Sequence, residues 1–328
     1  MSAILTDKRP VAGDPAAAPE DLSIASRGLT PHATLRRVVL LLNPLSGSVG
    51  PHAGTEACAI FADYAIEADV HPLDGDFDDA VAAAFACRPD AIFVLAGDGT
   101  ARAVAAAAGP DGPLIAPLPG GTMNMLPKAL YGAADWKAAL KLALTEGVER
   151  PVAGGEVDGI SFFCAAILGA PALWAPAREA VRSGAPRLAW LYAKRALRRA
   201  FAGHIRFQLD NGVICKGEAL ALITPLISRA LETPSGLESA VMNLSGASEA
   251  FRLAATALFS DWRSDPSVET KIVRHAVAWA HHEMPAILDG ESVHLGKRAT
   301  VTFVPCAFRT LAPKVANSAI SLAPEAQG

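Results

Sequence analysis

The sequence predicts an α/β domain with a parallel sheet covered by helices on both faces, followed by an antiparallel β domain with helical insertions. Up to about residue 150, apolar runs with the length of buried strands alternate with segments of helical periodicity. Beyond that point, Asp158-Gly159 and Asp210-Asn211-Gly212 each lie between apolar runs. Such turns are typical of β-hairpins, so the second half is predicted to be antiparallel.

The length and composition predict two folded domains flanked by tails. The chain has 328 residues, of which 51% are hydrophobic, and this is enough for two cores. Residues 1–35 are rich in Ala, Pro, Asp and Ser without periodicity, so a disordered tail is expected. We predict an α/β domain over 36–150, a β domain over 151–313 and a C-terminal tail over 314–328.

Charge and cysteine content exclude several classes of protein. The net charge of −4 argues against nucleic-acid binding through broad positive charge. The five cysteines are odd in number and never in C-x-x-C spacing, which indicates neither a zinc site nor a disulfide framework and fits a reducing compartment. No apolar run reaches the ~18–20 residues of a membrane span. We therefore expect a cytoplasmic protein, with peripheral contact at the inner membrane face left open.

The first half contains four strand patterns and four helix patterns in alternation. The strands are predicted over 36–43, 68–73, 91–95 and 114–118. The helices are predicted over 55–67, 77–87, 101–108 and 135–146, the last with Asp135 as its N-cap and Gly147 as its stop.

The second half contains strand patterns interrupted by two helix patterns. The strands are predicted over 152–157, 160–166, 204–209, 213–224, 237–244, 268–280, 286–288, 292–295, 300–304 and 308–311. The helices are predicted over about 187–201 and 248–259.

The stretch Gly97-Asp98-Gly99-Thr100 connects a predicted buried strand to an Ala-rich helix. A glycine turn in this position presents backbone N–H groups to phosphate in open α/β folds. Asp98 repels phosphate and suits a Mg²⁺ shell or a proton-accepting role, and Thr100 can cap the helix or bond a phosphate oxygen. Taken alone, an ordinary strand-to-helix turn explains these residues equally well.

Three of the predicted parallel strands end in polar or glycine-containing loops, at 43–50, 97–100 and 120–124. Ligands of open α/β sheets bind at the carboxyl ends of the strands. The convergence of these loops therefore predicts a nucleotide or phosphate site. The sequence contains no G-x-x-x-x-G-K-[ST] and no G-x-S-x-G, and Arg102 stands where a third dinucleotide-binding glycine would fall. P-loop, hydride-transfer and triad-hydrolase functions are thus disfavoured.

Taken together, the motifs resemble the diacylglycerol kinase catalytic-domain family of lipid kinases, which includes soluble bacterial diacylglycerol kinases, sphingosine kinases and ceramide kinases. The matching residues form the three loops and a downstream Asp-Gly-Glu element. They are Asn43, Ser46 and Gly47; Gly97, Asp98, Gly99 and Thr100; Gly121, Thr122 and Asn124; and Asp289, Gly290 and Glu291. The resemblance extends over about residues 38–313.

The resemblance implies a NAD-kinase-like α/β domain, a C-terminal β-sandwich and phosphorylation of a neutral, diacylglycerol-like lipid with ATP and Mg²⁺. The three loops would bind the nucleotide, with Asp98 and Asp289 as metal ligands. Glu291 or Asp289 would accept the proton of the lipid hydroxyl, and Asp98 would organise the phosphate and metal site. The implied partners are ATP and the lipid, with membrane contact and a homodimer left open.

Several alternatives stay open at this stage. Asp289-Gly290 also reads as a plain hairpin turn. Ala103 and Met125 stand where many family members carry acids, which leaves room for a catalytically impaired lipid-binding or regulatory homologue. A NAD kinase would share the Gly-Asp-Gly-Thr turn. The basic and aromatic segment 187–199 suits an anionic membrane surface or an ordinary solvated helix face.

Overall fold

The computed structural model describes residues 35–47, 49–169, 204–228, 235–242 and 268–314. Its first part alternates strands and helices as predicted. The strands are β1 (Arg37–Leu42), β2 (Glu67–Pro72), β3 (Ala91–Ala96) and β4 (Leu114–Pro119). The helices are α1 (Ala53–Asp63), α2 (Phe77–Ala86), α3 (Asp98–Ala108), α4 (Met125–Tyr131) and α5 (Trp136–Glu146). None of the helices within the described ranges is long and apolar enough to cross a membrane.

The first four strands are parallel and lie in the order β2-β1-β3-β4. All residues of β3 and β4 are buried, as are the last five residues of β1. Continuous apolar runs of this kind are expected for parallel strands that are covered by helices on both faces. The carboxyl ends of β1, β3 and β4 consequently lie side by side at one edge of the sheet.

The remaining strands pair mainly in antiparallel fashion. They are β5 (Gly147–Val157), β6 (Ile160–Phe162), β7 (Ala165–Gly169), β8 (Ile205–Leu209), β9 (Cys215–Gly217), β10 (Ala219–Ile223), β11 (Leu237–Met242), β12 (Val268–Val273), β13 (His275–Trp279), β14 (Met284–Leu288), β15 (Glu291–Leu295) and β16 (Arg298–Pro313). One separate sheet has the order β12-β11-β10-β7-β14-β15. The predicted fold class, an α/β domain followed by an antiparallel β domain, is confirmed.

The long strand β16 joins the two parts of the chain. It pairs antiparallel with β13 and β5, with an irregularity between Val304 and Phe308, and its Thr310 pairs with Ile115 of β4. The hydroxyl of Thr310 donates a buried hydrogen bond of 2.7 Å to the carbonyl oxygen of Ile115. Strand β16 therefore extends the sheet that contains the four parallel strands.

Two hydrophobic clusters form the core. The first surrounds the parallel strands, where Phe61 and Phe93 meet edge to face with ring centroids 5.0 Å apart. Phe163 and Phe308 belong to this same cluster, with ring centroids 4.8 Å apart. The second cluster lies between the antiparallel sheets. The first core therefore needs residues from both parts of the chain.

Several element bounds differ from the sequence prediction. Helix α4 was not predicted, and α3 begins at Asp98 instead of residue 101. The run 213–224 divides into β9 and β10, and the run 268–280 divides into β12 and β13, because each pair of strands belongs to different sheets. The predicted N-cap is confirmed: the Asp135 carboxylate accepts a hydrogen bond of 2.9 Å from the Ala138 N–H.

The domain bounds stay predictions. Strand β5 runs through the predicted boundary at residue 150 without a break. The helices predicted over 187–201 and 248–259 lie outside the described residues, as do residues 1–34 and 315–328 of the predicted tails.

Candidate active site

The loops after β1, β3 and β4 meet at one edge of the sheet. A Cβ atom added to Gly121 would lie 2.8 Å from the Cα of Gly97, and one added to Gly47 would lie 4.0 Å from Oγ1 of Thr122. A side chain at position 121 would therefore force the β3 and β4 loops apart. The structure brings together the three loops that the sequence singled out.

The loop after β1 is shaped by Asn43. Its backbone N–H donates to the carbonyl oxygen of Leu95 at 3.0 Å, which fixes the end of β1 against β3. Its side-chain Oδ1 accepts a 3.0 Å hydrogen bond from the Leu45 N–H, and its carbonyl oxygen accepts one of 3.1 Å from Ser46. Asn43 thus stabilises a turn that contains Ser46 and leads to Gly47, which lies next to Thr122.

The loop after β3 is the first turn of α3. Gly97 is the N-cap in an extended conformation, and its carbonyl oxygen accepts the first intrahelical bond, from the Ala101 N–H at 3.0 Å. The first N–H groups of an α-helix have no intrahelical acceptor, and the positive end of the helix dipole lies there. Asp98, Gly99 and Thr100 therefore lie at a helix N-terminus, which is the kind of position that can bind an anion.

The loop after β4 is closed by Asn124, which is buried and adopts a left-handed backbone conformation with φ of 51°. Its Oδ1 accepts a 2.7 Å hydrogen bond from the Gly121 N–H, and its Nδ2 donates to the Gly121 carbonyl oxygen at 3.0 Å. Both side-chain groups are therefore used to hold the loop. Asn124 is also the N-cap residue of α4.

Helix α4 directs its first N–H groups at Asp98. The Leu126 N–H lies 3.4 Å from Oδ1 of Asp98. Burial raises the pKa of the Asp98 carboxyl above its ordinary value, the N–H groups of residues 124–126 oppose this shift, and the negative charge of Glu291 adds to it. The N–H groups at the start of α4 therefore stabilise the charged form of the Asp98 carboxylate, and the negative charge of Glu291 destabilises it.

Glu291 lies over the first turn of α3, although 189 residues separate it from Arg102 of that helix. Its carboxylate occupies the space that a Cβ atom at Gly99 would need. Arg102 donates to Oε2 of Glu291 at 2.9 Å and to the carbonyl oxygen of Leu288 at 3.2 Å. The Glu291 side chain stays 47% exposed, so its carboxylate is positioned by Arg102 and still reaches solvent.

Asp289 has a different environment. It is 4% exposed, and its carboxylate accepts three backbone hydrogen bonds, from Phe163 at 2.7 Å, Cys164 at 2.8 Å and Ala165 at 3.0 Å. Burial raises the pKa of the Asp289 carboxyl, whereas the three N–H groups lower it. Its assignments as base and as metal ligand stay predictions, and they compete with this anchoring role.

The interpretation of Asp289-Gly290 as a hairpin turn is confirmed. The two residues form the turn between β14 and β15, with Leu288 paired to Glu291 and with positive φ at both turn positions. The turn places Glu291 at the first position of β15, beside α3. The hairpin is therefore the means by which a residue from the distant β domain reaches the glycine loop.

The three candidate carboxylates are not arranged as a preformed metal-binding site. Among the residues that the structure describes, the oxygen atoms of Asp98, Asp289 and Glu291 are not gathered within 4.8 Å of one another. A divalent ion at this edge would therefore have to take most of its ligands from elsewhere, such as phosphate oxygens or water.

Sequence reasoning missed Arg102 and α4. Arg102 was singled out only because it stands where a third dinucleotide-binding glycine would fall. Its two hydrogen-bond acceptors, the Leu288 carbonyl oxygen and the Glu291 carboxylate, lie 186 and 189 residues away in the sequence. Helix α4 has seven residues including Pro127 and follows a left-handed residue, so its helical pattern is short. The residue that could have indicated the start of α4 is its N-cap, Asn124, because asparagine is enriched in the left-handed backbone conformation that precedes this helix.

Solved structures of kinases share this architecture. A diacylglycerol kinase from Bacillus anthracis strain Sterne matches 86% of this chain and 98% of its own, with 16% identity and a TM-score of 0.63. A candidate diacylglycerol kinase from the same organism gives the same coverages, with 18% identity and a TM-score of 0.64. A yeast NADH kinase complexed with NADH is more distant, at 13% identity over 87% and 85% of the chains and a TM-score of 0.48. At these identities the likeness to the two Bacillus anthracis structures shows the fold alone.

Residues 37–157 match the family model of the diacylglycerol kinase catalytic domain. This match contains all three loops and confirms the resemblance that their motifs predicted. It ends before the Asp289–Glu291 turn, so the family match does not include that turn. No curated protein matches the chain.

Proposed function

We propose that this protein is an ATP-dependent lipid kinase that phosphorylates a hydroxyl group of a neutral, diacylglycerol-like lipid. The observation that carries the proposal is the contact between Glu291 and Gly99. It joins a solvent-accessible carboxylate from the β domain to the glycine turn of the domain that matches a kinase family. A phosphate bound at the turn and a hydroxyl beside Glu291 would then be neighbours.

The glycine loops supply the groups that a triphosphate needs. The first turn of α3 offers N–H groups at the positive end of a helix dipole. Gly47, Gly97 and Gly121 lie where the three loops face one another, so that phosphate oxygens would meet backbone rather than side chains. The hydroxyls of Thr100 and Thr122 would add donors from two of the loops.

Asp98 fits the role of a Mg²⁺ ligand. Protein-bound Mg²⁺ in kinases takes one or two carboxylates, with phosphate oxygens and water completing its shell. Asp98 supplies such a carboxylate, and its position at the start of α3 is beside the expected phosphates. The ion would neutralise charge on the phosphates. Asp289, whose oxygens already accept three N–H bonds, would instead hold the β14–β15 turn in place.

Glu291 would act as the general base. The lipid hydroxyl oxygen forms a bond to the γ-phosphorus, the bond from that phosphorus to the bridging oxygen of ADP breaks, and the hydroxyl proton passes to the Glu291 carboxylate. Arg102 would position the carboxylate by its two hydrogen bonds. Proximity of this kind lowers the barrier by aligning the reactants.

The test is phosphorylation of a mixed lipid extract by radiolabelled ATP with Mg²⁺. We expect a labelled lipid with the wild type, and a decrease of about 100-fold or more in Glu291→Gln because general-base catalysis contributes about 10²–10⁴-fold. Asp98→Asn should also lose most activity. Glu283→Gln is the matched control, since Glu283 is an exposed glutamate in the turn before β14. Equal label in all four proteins would contradict the proposal.

One observation favours a second candidate, a catalytically impaired lipid-binding protein. The Sδ atom of Met125 lies 3.4 Å from the position of a Cβ added to Gly290, so an apolar side chain lies beside the Asp289–Glu291 turn. Binding of lipid without a labelled product would support this candidate. Phosphorylation of NAD⁺ without turnover of lipid would instead support a NAD kinase.

Membrane contact and self-association also belong to the proposal. A kinase for diacylglycerol-like lipids would have to reach a membrane surface, and the basic segment 187–199 is the candidate. That segment lies outside the described residues. Flotation with vesicles containing anionic lipid would test this contact.

A further inference from the structure

Three side chains with different metal-binding atoms meet beside β2, the edge strand of the parallel sheet, and none of them belongs to the glycine loops. They are Asp69, His71 and Cys87, and one ligand atom from each lies within 4.8 Å of the others. Oδ2 of Asp69 lies 3.1 Å from Nε2 of His71. Within the described parts of the chain, this is the one group of three or more His, Cys, Asp or Glu ligand atoms that meets this distance.

The fold explains how these residues come together. Asp69 and His71 are separated by one residue on β2, so their side chains point to the same face of the strand. Strand β2 is at the edge of its sheet, paired on one side with β1. Cys87 is the C-cap residue of α2, the helix that follows β2 and contacts it. Neither the strand nor the helix alone has a recognisable metal-binding spacing.

The end of α2 favours a cation at this position. Cys87 follows the last turn of a ten-residue helix that has no basic residue in that turn. The carbonyl groups at a helix C-terminus carry a partial negative charge, which attracts cations. This backbone contribution has the same sign as that of the three ligand atoms, whereas the exposed guanidinium of Arg88, the residue after Cys87, opposes it.

We propose that Asp69, His71 and Cys87 bind a divalent transition-metal ion of the Zn²⁺ class. A thiolate, an imidazole nitrogen and a carboxylate oxygen are the donors that Zn²⁺ takes, whereas Mg²⁺ and Ca²⁺ prefer oxygen alone. The side chains of Asp69 and His71 are 49% and 20% exposed, so a metal ion and a water ligand can reach the site from solvent. Three protein ligands and one water would complete a tetrahedral shell.

This site is separate from the proposed kinase chemistry. It uses a soft donor, and none of its residues belongs to the glycine loops or to the Asp289–Glu291 turn. A metal there would connect β2 to the end of α2. Its presence would be independent of which substrate, if any, the kinase site phosphorylates.

The test uses the purified full chain, stripped with a chelator and titrated with Co²⁺ or Zn²⁺ alone. We expect Co²⁺ to produce a thiolate-to-metal charge-transfer band, and Zn²⁺ to abolish that band by displacement. Cys87→Ser should lose the band. Asp69→Asn and Cys87→Ser should each weaken Zn²⁺ binding at this site by at least tenfold, since even outer-shell changes weaken metal sites by about 10–100-fold.

Cys58→Ser is the matched control, because Cys58 is a free, partly buried cysteine outside the cluster. It should retain the charge-transfer band and the wild-type Zn²⁺ affinity. Thermal unfolding identifies any variant that has lost its fold, and the half-exposed Asp69 keeps the test valid if Cys87→Ser unfolds. A wild type without the band, or a band that Cys87→Ser retains, would overturn the proposal. Alkylation of Cys87 at the same rate with and without Zn²⁺ would also overturn it.

Discussion

Gly99 lies in the first turn of α3, at a position where alanine would favour the helix more. Glycine destabilises a helix by about 0.5–1 kcal/mol relative to alanine. The space beside its Cα is occupied by the carboxylate of Glu291. The absence of a side chain at this position therefore makes room for the candidate base, at the expense of helix stability.

Gly99→Ala should separate stability from activity. Because the atom that a Cβ would meet is the end of a flexible side chain, Glu291 can move aside, and the helix keeps its gain of about 0.5–1 kcal/mol. The displaced carboxylate should reduce lipid phosphorylation by at least about tenfold. Urea unfolding and the radiolabel assay measure the two effects.

Gly75→Ala is the control for this substitution, because a Cβ there meets no atom within 4 Å. It should leave the rate of phosphorylation unchanged. A Gly99→Ala protein with wild-type activity would show that the position of Glu291 over α3 does not matter for the reaction.

The partly buried carboxyl of Asp98 should make the difference in stability between Asp98→Asn and the wild type depend on pH. Burial raises the pKa of its carboxyl above the ordinary value of 3.8, so the folded state binds this proton more tightly than the unfolded chain does. The resulting stabilisation is present below the ordinary pKa and is lost as the pH rises through the raised value. At neutral pH the ionised carboxylate therefore lowers the free energy of unfolding.

Asp98→Asn should consequently be at least as stable as the wild type at neutral pH, although it should lose activity. Its advantage in the free energy of unfolding should shrink as the pH is lowered towards the ordinary pKa of aspartate. Urea unfolding of both proteins over a pH series measures the difference. A neutral-pH loss of stability in Asp98→Asn would contradict the sign of this argument.

At the scale of elements, three turns within the described residues share one arrangement of an aspartate. Asp158, Asp210 and Asp289 each occupy a turn position with φ between 46° and 49°. Each also accepts backbone N–H bonds with its carboxylate. Asp158 and Asp210 are exposed, whereas Asp289 is buried and accepts three such bonds. Asp289 therefore holds the β14–β15 turn against the start of β7 at a buried position.

Asp289→Ala should be much more damaging than the same change in the exposed turns. It would leave two buried N–H groups and one partly buried N–H group without their acceptor, and each buried loss costs about 1–3 kcal/mol. We expect a decrease of about 3 kcal/mol or more in the free energy of unfolding. Asp210→Ala, which removes an exposed acceptor of two N–H groups, should cost about 1 kcal/mol.

Equal costs in the two variants, measured by urea unfolding, would argue against the anchoring role of Asp289. Its predicted roles as base or metal ligand would then regain weight. A stable Asp289→Ala protein without kinase activity would favour those roles directly.

The regular elements were accessible from sequence because their signals are local. Strand β3 is buried on both faces, so its sequence is a continuous apolar run. Asp135 marks the start of α5, because its carboxylate accepts a hydrogen bond from the N–H of Ala138, three residues later. The separation of β12 from β13 left no such signal. The strands belong to different sheets, and this depends on partners elsewhere in the chain. The pattern of polar and apolar side chains indicates which faces of a strand are exposed, but it does not indicate which other strand pairs with it.

The candidate site divides in the same way. The glycine loops were identified because each follows a recognisable strand. The ion pair between Arg102 and Glu291 and the anchoring of Asp289 join residues more than 120 positions apart, so no spacing predicts them. The cluster of Asp69, His71 and Cys87 was missed for a related reason, since a strand and the end of a helix contribute to it jointly.

At the scale of the whole molecule, the family match and the folded core do not have the same limits. The matched residues are 37–157, whereas the core around the parallel sheet also contains Phe163, Phe308 and Leu311. Strand β16 pairs with both β4 and β5. A chain that ends at residue 157 would lack these side chains and would expose the open edges of β4 and β5.

A fragment of residues 35–157 should therefore not fold as a stable domain. Burial of a Phe or Leu side chain contributes about 1.5–3 kcal/mol, and three such losses are comparable to the about 5–15 kcal/mol that stabilises a typical domain. We expect helical circular dichroism without a cooperative urea transition. Co-expression with residues 158–328 should restore the transition, since that piece returns Phe163 and β16. A fragment that unfolds cooperatively at the midpoint of the full chain would show that the predicted boundary near residue 150 separates independent folding units.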